Sequence, residues 1–243
     1  MEKRYEGKAK ILYPTAEPEV LLTVFKDDAT AFNAQKRGQI QGKGEINCAV
    51  SAALFRFLGK RGVIHHFLDC PAPGQMRVKA LEIIPLEVVV RNIAAGSLCR
   101  ETGLPEGQIL PSPLVEFYLK NDALGDPLLT PERLLLLEVA RPEEVETLKT
   151  SGLAINQHLI AFFADCEITL VDFKLEFGRD PHGQILLADE ISPDTCRLWD
   201  QRQSDPQARV LDKDRFRRDL GQVESAYETV RERVLAQIDK LGL

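Results

Sequence analysis

The chain has 243 residues, 44% of them hydrophobic and 28% charged, with a formal net charge of −6. That composition belongs to a globular chain able to bury a core without staples, and the acidic balance excludes general nucleic-acid binding, which needs a basic face. No apolar run approaches the roughly 20 residues of a membrane span. The start MEKRYEGKAK lacks the apolar stretch of a signal peptide, and five scattered cysteines without a C-x-x-C pattern point to free thiols in a reducing, cytoplasmic setting.

In chain order, residues 5–13 (YEGKAKILY) and 20–26 (VLLTVFK) read as strands joined by the turn-rich PTAEPE. DDATAFNAQKRGQIQGKG then leads into a helix in which Ile46, Ala49, Ala53, Leu54, Phe57 and Leu58 recur at helical spacing, with Gly59 and Gly62 as the stop. Within that lead, Gly38 to Gly44 fails as a P-loop. Three residues rather than four separate its first glycines, and Gly44 stands where a hydroxyl is needed. It reads as a flexible loop.

VIHHFLDC, QMRVKALEII and LEVVVRNI follow as strands. SLCRETG is a short helix, and Thr130, Pro131 and Glu132 cap and open a helix over 131–139, followed by another over 143–165. Two strands come next, LVDFKLEFG and QILLADEIS. In the tail, Phe216, Leu220, Val223, Tyr227, Val230 and Val234 predict one long amphipathic helix. The sum is an α+β fold with a sheet-rich lobe over 1–90, a larger α+β lobe over 91–243, and a ligand cleft between them.

LVDFKLEFG carries the chemistry. Asp172, Lys174 and Glu176 alternate with Val171, Phe173, Leu175 and Phe177, so a strand here has one charged and one apolar face. A four-residue loop over Pro181–Gln184 would set Glu176 directly opposite Asp189, and such carboxylates repel unless a cation lies between them. Mg²⁺, held by one or two carboxylates and completed by substrate phosphates, suits that place. A solvated face neutralised by Lys174 is the bland alternative. Against it, ADEISPDTCRLWD crowds Asp189, Glu190, Asp194, Arg197 and Asp200 together directly after the core-bound ILLA.

Two further stretches offer anion contacts. In EGKAK, Lys8 and Lys10 share a strand face, and Gly7 admits a close backbone. In VVVRNIAAGSL, Arg91 ends a buried strand while Gly96 and Ser97 open a helix, gathering an arginine fork, a hydroxyl and helix N–H groups; a plain capped turn is the alternative. Lys120 and Asp126 read as a mixed-charge loop, and His65 and His66 as structural. The residues alone describe a Mg-nucleotide enzyme, with a small-molecule kinase and a non-catalytic nucleotide-binding module both open. The Gly-rich loop and HRD segment of a protein kinase are absent.

YEGKAKILY, VVVRNIAAGSL, LVDFKLEFG, ADEISPDTCRLWD and DKDRFRRDLG, in that order from Tyr5 to about Tyr227, resemble the phosphoribosylaminoimidazole-succinocarboxamide synthase family of purine biosynthesis. The resemblance implies a kinase-like N-terminal lobe on a larger α+β lobe. It also implies ATP-dependent joining of L-aspartate to the carboxylate of carboxyaminoimidazole ribonucleotide, giving ADP and phosphate. Carried over by motif, it implies that Gly7, Lys8, Ala9, Lys10 and Lys120 contact ATP and that the Met76–Glu82 strand, ending at Glu82, borders the adenine. Glu176 and Asp189 would hold Mg²⁺, Arg91, Ser97 and Arg197 would grip the ribonucleotide phosphate, and Asp172 and Lys174 would flank the reacting carboxylate. DDATAFNA matches the family less closely. Asp194 and Asp200 are the candidates for a base. Partners are then small molecules, with no nucleic acid and no membrane, and the C-terminal helix leaves a homo-oligomer open.

Overall fold

The computed structural model describes residues 2–31 and 35–243, so the end of DDATAFNA, Phe32 to Ala34, lies outside the described residues. The chain opens with β1 (Tyr5–Glu6), β2 (Lys10–Pro14) and β3 (Val20–Phe25). A bend over residues 7–9 interrupts the strand expected across 5–13, so Lys8 does not share a strand face with Lys10. A hairpin of β4 (Asp28–Ala31) and β5 (Lys36–Gln39) leads to α1 (Lys43–Gly59). The Asp27 carboxylate accepts the N–H groups of Gly42 at 3.0 Å and Gly44 at 2.8 Å, satisfying donors that the helix start leaves unpaired. The stretch from Gly38 to Gly44 is therefore held by a strand and a cap, not the loose loop expected. With β6 (Phe67–Ala72) and β7 (Gln75–Lys79) the first sheet is antiparallel, in the order β1-β2-β3-β7-β6.

Between Lys79 and Glu82 the chain passes to a second sheet. It comprises β8 (Glu82–Ile83), β9 (Leu86–Ile93), then after α2 (Ser97–Thr102) β10 (Ile109–Leu119) and β11 (Leu128–Leu129). After α3 (Pro131–Leu137) and α4 (Pro142–Asp165) come β12 (Ile168–Arg179), β13 (Ile185–Ala188) and β14 (Cys196–Asp200). A division between 90 and 91 would thus cut β9. β10 has no counterpart in the sequence expectations, and it contains Pro111 and Pro113. Both prolines fall where pairing with β9 is interrupted, between Ile109 and Leu114, and β11 covers only Phe117 and Tyr118 on the other side.

β12 is central, with β9 and β8 along one side and β14 and β13 along the other. A register shift between Leu170 and Asp172 splits its expected apolar face. Phe173, Leu175 and Phe177 join the main core, whereas Val171 packs with Ala95, Trp199 and Val210 in a second cluster. The main core is continuous from α1 (Leu54, Phe55, Leu58) through β9 (Val88, Val90) to α4 (Leu159, Phe163), so the two sheets share one interior. Each such side chain contributes about 1.5–3 kcal/mol when fully buried. Gly152 lets α4 approach the sheet, since a Cβ there would sit 3.2 Å from the Val90 side chain.

The tail is two helices rather than one, α5 (Asp214–Arg217) and α6 (Val223–Leu241). Asp219, Gly221 and Gln222 between them all have positive φ, which no right-handed helix accommodates. Phe216 and Leu220 matched the helical phase by coincidence, while Tyr227, Val230, Val234 and Ile238 form the buried seam of α6, which packs against α1.

Candidate active site

The register of the second sheet sets Asp172 in one row with Arg91 on β9 and Arg197 on β14. Cross-strand neighbours share a face, and both guanidinium groups donate to the same oxygen, Asp172 Oδ2, at 3.0 and 2.7 Å. Arg91 also donates to Glu116 at 2.7 Å, Ser97 Oγ at 2.9 Å and the Tyr118 hydroxyl at 3.1 Å. Arg197 donates in addition to Asp214 at 2.8 Å and lies flat against Gly96. A Cβ at Gly96 would collide with the Arg197 guanidinium, and its φ of 59° is itself glycine territory. This corner is a carboxylate-braced pair of arginines beside a helix start.

Farther along β12, Lys174 donates to Glu176 at 2.7 Å and to Glu87 at 2.9 Å, and Lys120 pairs with the other oxygen of Glu176. Lys10 reaches across from the first sheet to pair with Asp189 and, at 2.8 Å, with Glu190. Lys8 spans the opening to Asp122 at 2.6 Å. Burial works to discharge Lys174, but Glu176, Asp189 and Glu87 outweigh it and hold the ammonium well above the ordinary lysine value. Burial likewise opposes ionisation of Asp189, and Lys10, Lys174 and Lys120 overcome it to hold the carboxyl below its usual range. Lys174 and Asp189 are therefore both charged at neutral pH.

Glu176 and Asp189 do not meet as the hairpin expectation had it. The loop holds five residues, 180–184, so Glu176 stands opposite Ala188. Continued regularly, the strand would turn Asp189 to the other face. Instead Asp189 has φ 60°, a left-handed conformation that breaks the alternation, and both carboxylates line one cavity of about 1250 Å³. Gly7, Lys8, Ala9, Lys10, Arg91, Ser97, Lys120, Asp172, Lys174 and Arg197 line it as well.

Three comparisons identify what such a cavity belongs to. The family model for SAICAR synthetase matches residues 3–234. The phosphoribosylaminoimidazole-succinocarboxamide synthase of Synechocystis sp. is 73% identical over 241 residues, covering 99% of this chain and 91% of that protein. The chain belongs to the SAICAR synthetase family. Its members are ATP-dependent ligases of purine biosynthesis that join aspartate to carboxyaminoimidazole ribonucleotide. The crystal structure of the synthase from Ehrlichia chaffeensis superposes with a TM-score of 0.92 at 42% identity, covering 97% of this chain and 99% of that one. A SAICAR synthetase (type 2) solved in complex with ADP does so with a TM-score of 0.90 at 44% identity, covering 96% and 97%.

In this member of the family, the structure gathers all the sequence-derived site residues except Glu82 and the candidate base Asp200. Glu82 is 79% exposed, pairs with Arg179 and is not among the cavity-lining residues. Asp200 is engaged by Arg233 at 2.9 and 3.0 Å and does not line the cavity either. Asp194 does line it, but its oxygens are taken by Lys43 at 2.8 Å and the Tyr227 hydroxyl at 2.7 Å. Sequence reasoning missed Glu87, Tyr118, Lys213 and Arg217, which also line the cavity, as does Glu190 from the acidic run singled out after ILLA. The basic run DKDRFRR was the one available signal for Lys213 and Arg217. It missed His66 as well, which is buried yet borders the cavity beside Asp189.

Proposed function

We propose that the ribonucleotide phosphate lies between Arg91, Ser97 and Arg197, and that the nucleotide lies along the Gly7–Lys10 bend and Lys120, with the Met76–Glu82 strand bordering its base. The observation that carries this reading is the cavity itself, which brings the Arg91–Arg197 pair together with Lys8, Lys10, Lys120 and Lys174 interleaved with carboxylates, from both sheets. Asp172 acts by holding the two arginines rather than by touching the reacting group, since its oxygen already serves both.

Glu176 and Asp189 fit a divalent ion that arrives on phosphates. Among the described residues no group of three or more His, Cys, Asp or Glu converges into a self-sufficient metal cage, and Mg²⁺ on a nucleotide requires only one or two carboxylates. When bound, Mg²⁺ would neutralise charge between the nucleotide and the acceptor carboxylate.

A carboxylate oxygen is a poor leaving group, so the γ-phosphoryl group first passes to it, breaking the bond to ADP and forming an acyl phosphate. The free aspartate amine then attacks the acyl carbon, phosphate leaves with the C–O bonding pair, and the nitrogen gives up one proton to solvent, keeping one N–H in the amide. Lys10 and Lys174 spread the moving negative charge, and the braced arginines hold the acceptor in line. We also place the protein in the cytoplasm. Among the described residues no helix is long and apolar enough to cross a membrane, and all five cysteines are free thiols.

The test is amine dependence. Steady ADP release should require the ribonucleotide and L-aspartate together. Sustained ADP release with the ribonucleotide alone would instead mark a kinase.

A further inference from the structure

We propose that His66 is the positioning residue for Asp189: its Nε2–H holds the backbone carbonyl oxygen of Asp189 and thereby fixes the left-handed turn that aims the carboxylate into the cavity. This rests on Asp189 as a metal ligand. His66 Nε2 lies 3.1 Å from the Asp189 carbonyl oxygen. A carbonyl only accepts, so the ring proton is on Nε2.

The ring is held from three directions. The His66 N–H donates to the Leu187 carbonyl of β13 at 2.9 Å, while its own carbonyl accepts from Lys79 of β7 at 2.8 Å, so its backbone is tied to both sheets. Phe55 of α1 packs edge-on against the imidazole with centroids 5.3 Å apart. Asp189 needs such a strut because a residue with a Cβ leaves the left-handed region readily unless its surroundings fix it. Given the one-residue offset of the hairpin, that conformation is the route by which Asp189 and Glu176 face the same space here.

His66→Gln, whose amide N–H can reach the same oxygen, and His66→Leu, which has no donor, separate positioning from packing. Mn²⁺·ADP binding, read by electron paramagnetic resonance without turnover, should weaken about tenfold or more in His66→Leu and return to within about threefold of wild type in His66→Gln. The Mg²⁺ concentration for half-maximal rate should rise in parallel, with the ribonucleotide KM unmoved. Unaltered Mn²⁺·ADP binding in a folded His66→Leu protein, or equal loss in both variants, overturns the proposal. Nitrogen-15 spectra of the wild-type ring keep it falsifiable if His66→Leu does not fold: a proton on Nε2 is required, and one on Nδ1 alone refutes it. Asp189→Asn separates the two levels. If it leaves Mn²⁺·ADP binding intact, the metal reading fails and this proposal with it; if it abolishes binding while His66→Leu does not, only the role of His66 fails.

Discussion

Strand β12 takes part in two ion-paired clusters, each built on a buried carboxylate, and they do opposite work. Near its end, Arg179 grips Glu144 of α4 through two hydrogen bonds, at 2.6 and 2.9 Å, and the Arg141 backbone N–H adds a third at 2.8 Å. That set is closed: planar donors meet a planar acceptor, and neither partner borders the cavity. Three residues back, Glu176 meets two separate lysine ammonium groups, and an open cavity lies beyond. Burial and charge are alike in the two regions. What differs is geometry: a fork-to-fork pair fastens strand to helix, whereas single-point lysines beside a space can be shared with an incoming phosphate.

The largest contrast should come from deleting each carboxylate. Glu176→Ala or Asp189→Ala should cut kcat by about 10³-fold or more with little change in melting temperature. Glu144→Ala should leave kcat per folded molecule intact and lower stability by about 2 kcal/mol, because the half-buried Arg179 and the Arg141 N–H lose their acceptor. Denaturation and steady-state kinetics on the three variants read both axes.

Next comes the arginine corner. Arg197→Lys keeps the charge but removes the fork between Asp172 and Asp214, and should raise the ribonucleotide KM by about ten- to a hundredfold with a smaller effect on the KM for ATP. Gly96→Ala should mimic it, because the added Cβ displaces the same guanidinium.

The smallest effect is in pH. Arg179 foremost, with the Arg141 contacts, lowers Glu144 from 4.5 to about 2, against the opposing effect of burial. A depressed carboxylate stabilises the fold above its unfolded pKa, and that stability is lost as pH falls through the folded one. Wild type should therefore exceed Glu144→Gln by about 2 kcal/mol at pH 6, and the gap should shrink between 4.5 and about 2. A gap constant across that window would remove the ion pair as its source.

The open half of this contrast was legible in the sequence, whereas the Arg179–Glu144 pair was not. Alternation alone put Asp172, Lys174 and Glu176 on one face, because strand geometry leaves little choice. β10 was not legible: it carries Pro111 and Pro113, which are harmless where pairing with β9 is interrupted. Positive φ at Asp219 and Gln222 split the tail without a compositional warning beyond Gly221. Least legible was Asp189, whose aim depends on an odd loop, a left-handed residue and a histidine more than a hundred positions away. None of those leaves a local pattern.

The most direct test of the central claim is an anomalous-scattering map of crystals grown with ADP and Mn²⁺. The account predicts a peak bridging the ADP phosphates to the Glu176 and Asp189 oxygens, at close to octahedral oxygen-ligand distances, about 2.1 Å for Mg²⁺. A peak held by phosphates alone, or by carboxylates elsewhere, would contradict it.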